Sequence, residues 1–366
     1  MIYSQDKNYF WSLNLFEMKK NISLFICMFF LGQYYVTNAQ TLQKDKQYNV
    51  TCVGFYNVEN LFDTLNTNGD KDFEFSPRGK NNWNTENYWA KMDNLSKVIS
   101  EMGTEYTPDG MAILGVSEVE NRSVLEDLVK NDLLEKHNYK IVHYDSPDHR
   151  GIDVALLYQP KYFEVLSSKT FTVTFPDSPD YNTRDQLLVT GILNGEKVHV
   201  IVVHWPSRSG GQKRSEPRRL TAAAVGKSIT DSLLTADPSA KIFYMGDLND
   251  DPTNNSLTKV MNAKASIKKV KEGSFYNPMV DLYKKGIGSL AWRDSWNIFD
   301  QIIMSPSLVD TGLDDWSYFK VKVFNKPYMR QTEGNYKGYP KRSFSNGWAN
   351  GFSDHFPVYV VLVKEK

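Results

Sequence analysis

Short apolar runs bounded by turn residues constrain the fold of this 366-residue chain more than any other feature. Most runs have the length of a strand and are rich in the β-branched and aromatic residues that strands favour. Three longer segments carry helical periodicity instead, and the last has Pro217 in its first turn, where proline is tolerated. Together with a hairpin turn at Asn194-Gly195, this alternation predicts a mixed α/β sandwich. The predicted strands are residues 50–56, 111–116, 139–144, 154–158, 163–175, 186–193, 197–203, 241–245, 298–304 and 358–363, and the predicted helices are residues 88–102, 123–136 and 216–234.

Composition excludes several classes of protein. The 43 Lys and Arg residues balance the 43 Asp and Glu residues, which argues against a binder coated in basic surface. An aromatic content of 13% argues against disorder. The two cysteines, Cys27 and Cys52, are too few for a disulfide scaffold or a Cys-rich zinc site. Residues 318–350 have poor periodicity, so we expect a long ordered loop system that carries binding residues.

The N-terminal segment has the anatomy of a secretory signal peptide. In residues 18–39, Lys19 and Lys20 precede an uninterrupted apolar run and small residues lie before Gln40. The run is shorter than the roughly 20 residues of a spanning helix. We therefore expect residues 1–39 to be an N-terminal extension and signal peptide, and residues 40–366 to be a single catalytic domain. The mature protein is expected to be periplasmic or extracellular, without a stable membrane anchor.

Polar clusters lie directly before or after several predicted strands. Asn57 follows the first strand, and Glu118 follows the second. A carboxylate that leaves a buried strand is costly unless it is paired or binds a cation. Glu118 is the better candidate ligand, because Glu120 could instead begin the next helix. The alternative for both clusters is a helix cap or a turn.

Two further clusters contain basic residues. Arg150 and Asp153 precede the strand at residues 154–158, where they could form a salt-bridged turn or contact a substrate. His204 ends the strand at residues 197–203, and its ring suits proton transfer near neutral pH. The loop after it is basic, which suits either a phosphorylated substrate or a solvated surface. Its cationic residues are Arg208, Lys213, Arg214, Arg218 and Arg219.

The last two clusters pair carboxylates with an amide or an imidazole. Asp247 and Asn249 are two residues apart, so in an extended segment both point toward one phosphate or water. Asp354 and His355 are adjacent and would face different partners if extended. Asp300 could hold the His355 ring in one tautomer by accepting its N–H.

Taken in this order, the clusters resemble the endonuclease/exonuclease/phosphatase superfamily, which includes deoxyribonuclease I, exonuclease III-like endonucleases, inositol-polyphosphate phosphatases and bacterial sphingomyelinases. The similarity runs from about Asn49 to Val363, and its most specific motifs are Gly-Asp-Leu-Asn at 246–249 and Ser-Asp-His at 353–355. The resemblance implies a deoxyribonuclease I-like α/β fold. This fold is a four-layered sandwich of two mostly antiparallel sheets flanked by helices, with the site at one edge.

The resemblance also implies a role for each matching residue. Glu118 is the expected principal metal ligand, with Asn57 helping to bind metal or phosphate and Asp354 as a supporting ligand. Asp247 is expected to deprotonate the attacking water, and Asn249 to bind the phosphate. The remaining expected roles are phosphate or leaving-group contact by His204, orientation of His355 by Asp300, phosphate contact by His355, and substrate binding by Arg150, Asp153, Arg208 and Arg218.

The implied activity is phosphoester hydrolysis with Mg²⁺ or Mn²⁺, which oxygen ligands favour over zinc. Nucleic acid is the first-choice substrate, because a basic loop and aromatic late loops could hold a strand. The alternative is a phosphatase or phosphodiesterase for inositol phosphates, phospholipid head groups or other small esters. A non-catalytic binding protein on the same fold would be expected to lack one of the central residues, and all are present. No obligate protein partner is evident.

Overall fold

Two β-sheets packed face to face bring the polar clusters to one edge of the protein. The computed structural model describes residues 42–43, 45–65, 72–309 and 312–366, and residues 42–366 belong to one compact unit. The predicted signal peptide at residues 18–39 lies outside the described residues, so it stays a prediction. No helix in the described ranges combines the length and apolarity needed to cross a bilayer.

Most elements are short, as the sequence predicts. In chain order the strands are β1 (Tyr48–Leu61), β2 (Ile113–Val119), β3 (Lys140–His143), β4 (Asp153–Tyr158), β5 (Phe163–Phe171), β6 (Gln186–Leu193), β7 (Glu196–His204), β8 (Lys241–Asp247), β9 (Ala263–Lys264), β10 (Phe275–Tyr276), β11 (Leu290–Trp292), β12 (Ser295–Asn297), β13 (Asp300–Met304), β14 (Ser317–Val323) and β15 (Val358–Glu365). The α-helices are α1 (Thr85–Glu101), α2 (Arg122–Val129), α3 (Asp132–Glu135), α4 (Gln212–Ala236) and α5 (Met279–Lys284).

The first sheet has the order β14-β15-β1-β2-β4-β3, and its neighbouring strands are antiparallel except for β1 and β2. The second sheet has the order β5-β6-β7-β8-β13-β10-β9, in which β7–β8 and β9–β10 are parallel. A two-stranded hairpin, β11–β12, lies apart from both. The predicted sandwich of two mostly antiparallel sheets with helices is confirmed.

The expectation that residues 318–350 are a loop system is wrong at its start. Strand β14 lies there and pairs with β15. Its period-2 alternation of Lys320 and Lys322 with Val321 and Val323 is obscured by a bulge between Tyr318 and Lys320. The predicted helix at residues 123–136 is two helices, because the Asn131 side chain accepts a hydrogen bond from Leu133 N and begins α3.

A glycine sets how closely the two sheets approach beneath the site. A Cβ added to Gly115 on β2 would lie 3.0 Å from Met245 Sδ and 3.1 Å from Val202 Cγ1, both on the other sheet. A larger residue would therefore need the side chains of the facing sheet to give by a few tenths of an ångström. Since Gly115 lies three residues before Glu118, this close packing helps bring Glu118 toward the ends of β7 and β8.

Candidate active site

The site forms where parallel strands of each sheet end together. Asn57 on β1 lies opposite Ser117 on β2, while His204 on β7 lies opposite Asp247 on β8. Asp300 on β13 is also opposite Asp247, in the antiparallel pair β13–β8. Strand pairing therefore gathers side chains that are far apart in sequence.

Strained backbone presents the acidic residues of the first sheet. Glu118 has φ of 64°, and the register of β2 shifts between Ser117 and Val119 against both neighbouring strands. Glu59 and Asn60 on β1 both have φ of 51°. Non-glycine residues adopt this left-handed region only where the surrounding structure enforces it. Here Asn60 N donates a 3.0 Å hydrogen bond to Glu118 Oε2, so the two bulges hold each other.

Asn57 lies between two carboxylates as a hydrogen-bond donor. Its Nδ2 is 3.0 Å from Asp247 Oδ2 and 3.4 Å from Glu118 Oε1. Its Oδ1 accepts from Glu59 N at 3.0 Å, which fixes the orientation of the amide. This orientation does not turn the amide oxygen toward a metal at Glu118. The contacts of Asn57 within the protein are thus to the two carboxylates, and its expected part in binding metal or phosphate stays a prediction.

His355 lies between two acids. Its Nδ1 is 2.6 Å from Asp300 Oδ2, and its Nε2 is 3.8 Å from Asp247 Oδ2. Burial alone would lower the pKa of His355, but the carboxylates of Asp300 and Asp247 outweigh it and raise that pKa well above its usual value. The ring is therefore an imidazolium at neutral pH. Burial raises the pKa of Asp247 to about 6; Asp300 adds to the effect and His355 opposes it.

His204 and Glu118 have opposite electrostatic environments. Burial, together with the nearby Arg184, lowers the pKa of His204 well below its usual value, so this ring is neutral. Its Nε2 is 3.5 Å from Asp247 Oδ2 and 3.9 Å from Glu118 Oε1. Burial would raise the pKa of Glu118, but the charge of Arg150 outweighs it, with help from the His355 imidazolium, and holds that pKa well below its usual value. Glu118 is therefore a permanent carboxylate.

The donor set fits a divalent metal. Side-chain atoms of Asp247, Asp300 and His355 lie within 4.8 Å of one another, and Asn57 Nδ2 links the Asp247 carboxylate to that of the ionised Glu118. Because the His355 ring is protonated, the carboxylates are the groups that would hold the ion. Oxygen-rich sites of this kind suit Mg²⁺ or Mn²⁺. Among these groups Glu118 is the best placed to hold the ion, because it is ionised and its Oε1 makes only a long hydrogen bond.

Of the predicted substrate residues, Arg150 reaches the site and Asp153 does not. Arg150 donates to Asn60 Oδ1, and its Nη2 is 3.4 Å from Glu118 Oε2. Asp153 accepts from Ser146 N at 2.8 Å and lies 3.0 Å from His143 Nε2. Asp153 therefore fixes the ends of the loop that presents Arg150.

Two of the five cations of the expected basic substrate loop, Arg208 and Arg219, are ion-paired within the protein. Arg208 Nε donates to Asn249 O at 2.9 Å, and its Nη2 lies 3.0 Å from Asp251 Oδ2. Arg219 is fully buried, with Nε 2.7 Å from Asp250 Oδ1. These two arginines hold the loop after β8, which corrects the interpretation that the whole cluster faces substrate. Arg218 instead stacks on a ring, with its Cζ 3.8 Å from the centroid of Tyr181.

Asn249 is positioned by the same loop. Its backbone N donates to Asp247 Oδ1 at 3.0 Å, and its Nδ2 donates to Trp205 O at 3.0 Å. Asp354 lies nearer to His355 than an extended segment would allow, with Oδ1 3.9 Å from His355 Nε2. The residues around it form a bend and not the extended segment that the expectation assumed. The two neighbours still have different main partners, Arg342 for Asp354 and Asp300 for His355.

Two arginines at the site have no signal in the sequence. Arg184 donates to His204 O at 3.1 Å and to Trp205 O at 2.6 Å, so it fixes the end of β7. Arg342 lies 3.2 Å from Asp354 Oδ2 and 3.3 Å from Glu59 Oε1. Neither arginine belongs to a periodic segment or a recognisable motif, so only the fold reveals them.

Comparisons with known proteins agree with this geometry. The model of the Endonuclease/Exonuclease/phosphatase family matches residues 52–364. No curated protein sequence matches the chain. Among solved structures, a family protein from Bacteroides thetaiotaomicron has a TM-score of 0.52 at 18% identity and covers 87% of this chain and 97% of its own.

Two further structures show the same fold. TDP2 from D. rerio, complexed with a single-strand DNA product, has a TM-score of 0.51 at 14% identity and covers 86% of this chain and 99% of its own. A mannosyl-6-phosphatase from Bacteroides thetaiotaomicron has a TM-score of 0.50 at 18% identity and covers 85% and 99%. At these identities the likeness concerns the fold alone. With nearly all of its described residues matched by the family model, the chain belongs to the endonuclease/exonuclease/phosphatase family and is a metal-dependent phosphoester hydrolase.

Proposed function

We propose that this protein hydrolyses small phosphoesters, using water that Asp247 deprotonates. The observation that carries the proposal is the position of Asp247. Its carboxylate lies 3.8 Å from the His355 imidazolium, 3.5 Å from the neutral His204 and 3.0 Å from the Asn57 amide. A buried carboxylate with a pKa near 6 is ionised at neutral pH and remains basic enough to accept a proton.

The surrounding residues provide the charge stabilisation that the transition state needs. The His355 imidazolium and the neutral His204 can both donate hydrogen bonds to phosphate oxygens from fixed positions. Asp300 keeps His355 protonated through its Nδ1. A divalent ion bound at Glu118 would neutralise negative charge on the phosphate and on the leaving oxygen.

A small ester is favoured over a long nucleic acid because of where the basic residues lie. Binding of duplex DNA depends on many free cationic contacts to phosphates. Here Arg208 and Arg219 are committed to Asp250 and Asp251 instead. The cations at the acidic centre itself are Arg150 and Arg342, which are ion-paired there but keep side chains 39% and 46% exposed, and two guanidinium groups suit a compact phosphate group.

One observation favours a single nucleic acid strand as the second candidate substrate. Trp292, at the tip of the β11–β12 hairpin, is 64% exposed, and Arg293 Cζ lies 5.6 Å from its ring centroid. Together with Tyr283 they line a cavity of about 420 Å³ beside Asp251. An exposed aromatic ring next to a cation can stack a base.

A substrate panel separates the two candidates. The protein is incubated with Mg²⁺ and either sugar phosphates, inositol phosphates, a single-stranded oligonucleotide or plasmid DNA, and each reaction is repeated with EDTA. We expect phosphate release from the small esters, loss of that release in EDTA and in Glu118→Gln, and slow or absent cleavage of plasmid. Rapid cleavage of internal bonds in the oligonucleotide without phosphate release would overturn the choice of small esters.

We also propose that the protein is exported. The support is the pattern of residues 18–39, in which two lysines precede a short apolar run. N-terminal sequencing of the protein recovered from the cell envelope or the medium tests this proposal. A mature chain that begins at Gln40 is the expected result, and an intact N-terminus in the cytoplasmic fraction would contradict it.

A further inference from the structure

Arg342 occupies a position at the site that the catalytic chemistry leaves unexplained. Its Nε donates to Glu59 Oε1 at 3.3 Å, and its Nη2 donates to Asp354 Oδ2 at 3.2 Å. Asp354 Oδ1 is in turn 3.9 Å from His355 Nε2. The guanidinium is thus separated from the reacting centre by a single carboxylate. Its side chain is 46% exposed, so part of it remains open to solvent.

The chain on the C-terminal side of Arg342 is fixed by two buried charged residues. Glu59 accepts hydrogen bonds from Ser343 N at 2.5 Å and from Phe344 N at 3.4 Å. Lys91 is fully buried, and its Nζ donates to Glu59 O at 2.6 Å and to Ser343 Oγ at 2.7 Å. Burying an ammonium and a carboxylate is costly even when they are paired. The result of this arrangement is that the guanidinium at position 342 is held in place before any substrate binds.

Arg150 supplies a second guanidinium at the same centre. Its Nη2 is 3.4 Å from Glu118 Oε2, and its side chain is 39% exposed. Burial lowers the pKa of Arg150, but the charge of Glu118 outweighs it, and Asp354 adds a smaller effect in the same direction. Asp354 is also the carboxylate that pairs with Arg342. Each guanidinium therefore lies within electrostatic range of the same acidic centre, reached from a different loop.

We infer that Arg342, together with Arg150, selects a terminal phosphate, and that Arg342 is a specificity-determining residue of this enzyme. The inference rests on the proposed function and extends it to the class of phosphate. A phosphomonoester is a dianion with three non-bridging oxygens, whereas a diester is a monoanion with two. A planar guanidinium group can donate two parallel hydrogen bonds to a pair of phosphate oxygens. The second negative charge of a monoester is stabilised most when a second guanidinium group also contacts the phosphate. The terminal phosphate could be on a sugar or at the end of a nucleic acid strand.

The alternative role for Arg342 is structural, since it neutralises the buried Glu59. A double variant separates the two roles. If Arg342 only compensates Glu59, Arg342→Gln is harmful alone and Glu59→Gln in the same chain restores activity. If Arg342 binds the phosphate, the double variant folds well and still discriminates poorly. Arg122→Gln is the matched control, because Arg122 forms an exposed pair with Glu126 on α2, outside the site.

The experiment compares p-nitrophenyl phosphate with bis-p-nitrophenyl phosphate in Mg²⁺. For Arg342→Gln and for the double variant, kcat/KM on the monoester is expected to fall about 10- to 100-fold, mainly through KM. The diester rate should change less than about threefold, and Arg342→Lys should recover part of the monoester rate because it keeps the charge. Equal losses on both substrates, or restoration by Glu59→Gln, would overturn the inference.

Two further measurements keep this result separate from the proposed function. The first uses calorimetry to measure the binding of inorganic phosphate in the presence of Mg²⁺, which does not depend on catalytic turnover. This binding should weaken by a similar factor in Arg342→Gln and be unchanged in Arg122→Gln. A wild-type protein that binds phosphate but hydrolyses neither aryl ester contradicts the proposed function while the binding result still tests Arg342. A 5′-phosphorylated oligonucleotide run beside a sugar phosphate then identifies which molecule carries the terminal phosphate.

Discussion

At the scale of single residues, the protonation state of Asp247 sets the pH dependence of hydrolysis. Because only its carboxylate form accepts a proton, activity should rise with pH as Asp247 ionises and reach a plateau before its alkaline decline. Burial raises the pKa of Asp247 to about 6, and a bound cation would lower it, so we expect the acid limb of log kcat/KM at or below about pH 6. Asp247→Asn should lose about 10²- to 10⁴-fold in kcat with an unchanged circular dichroism spectrum. An acid limb above pH 7 would exclude Asp247 as the base.

Asp300 should control the alkaline side of the same profile. Its carboxylate, 2.6 Å from His355 Nδ1, is the largest of the charges that raise the pKa of His355. In Asp300→Asn that pKa falls, so the imidazolium is lost at a lower pH and activity declines earlier as pH rises. Steady-state rates from pH 5 to 10 measure the shift, with Asp281→Asn on the exposed face of α5 as the control. An alkaline limb that does not move would show that His355 does not act as a cation.

How well single residues can be predicted from sequence depends on what they contact. Asp247, Asn249, Asp300 and His355 border apolar strands, and the pairing of β8 with β13 places Asp247 opposite Asp300. The partners of the arginines depend on tertiary packing instead. Arg208 and Arg342 both lie in irregular segments, yet one holds a loop and the other faces the site. No local pattern distinguishes these outcomes, so the substrate residues were the least predictable part of the site.

At the scale of elements, the second turn of α4 is attached to the loop after β8 by a buried ion pair. Arg219 is fully buried beside Asp250, while its neighbour Arg218 lies on the surface of the helix over Tyr181. Arg219→Met leaves the buried Asp250 charge without this partner and should cost about 3–5 kcal/mol of the free energy of unfolding. Arg218→Met should cost about 1 kcal/mol or less. Urea denaturation compares the two, and similar losses would show that Arg219 does not stabilise the loop.

The elements were predicted where the hydrophobic period is unbroken. Strand β6 has the bounds that the sequence indicates, because most of its residues are apolar and a tight turn follows. Strand β14 escaped detection because its bulge shifts the alternation by one residue. The bulge at Glu118 is equally invisible in the sequence, although it orients the expected metal ligand. Irregularities of this kind are set by the neighbouring strands.

At the scale of the whole molecule, the two sheets contribute opposite halves of one acidic centre, with Glu118 from the first sheet and Asp247 and Asp300 from the second. The net charge of zero hides this local excess of acid.

A divalent ion that binds at this acidic centre binds only the folded chain, so it should stabilise the protein by about 2.7 kcal/mol at a concentration 100 times its Kd. We therefore expect Mg²⁺ or Mn²⁺ to raise the melting temperature and EDTA to reverse the rise. A parallel measurement with Ca²⁺ tests whether the rise depends on the size of the ion. Glu118→Gln should lose most of the Mg²⁺-dependent rise, whereas Glu126→Gln on the surface of α2 should keep it. A rise that persists in Glu118→Gln would place the ion elsewhere, and its absence in the wild type would show that the centre does not bind metal without substrate.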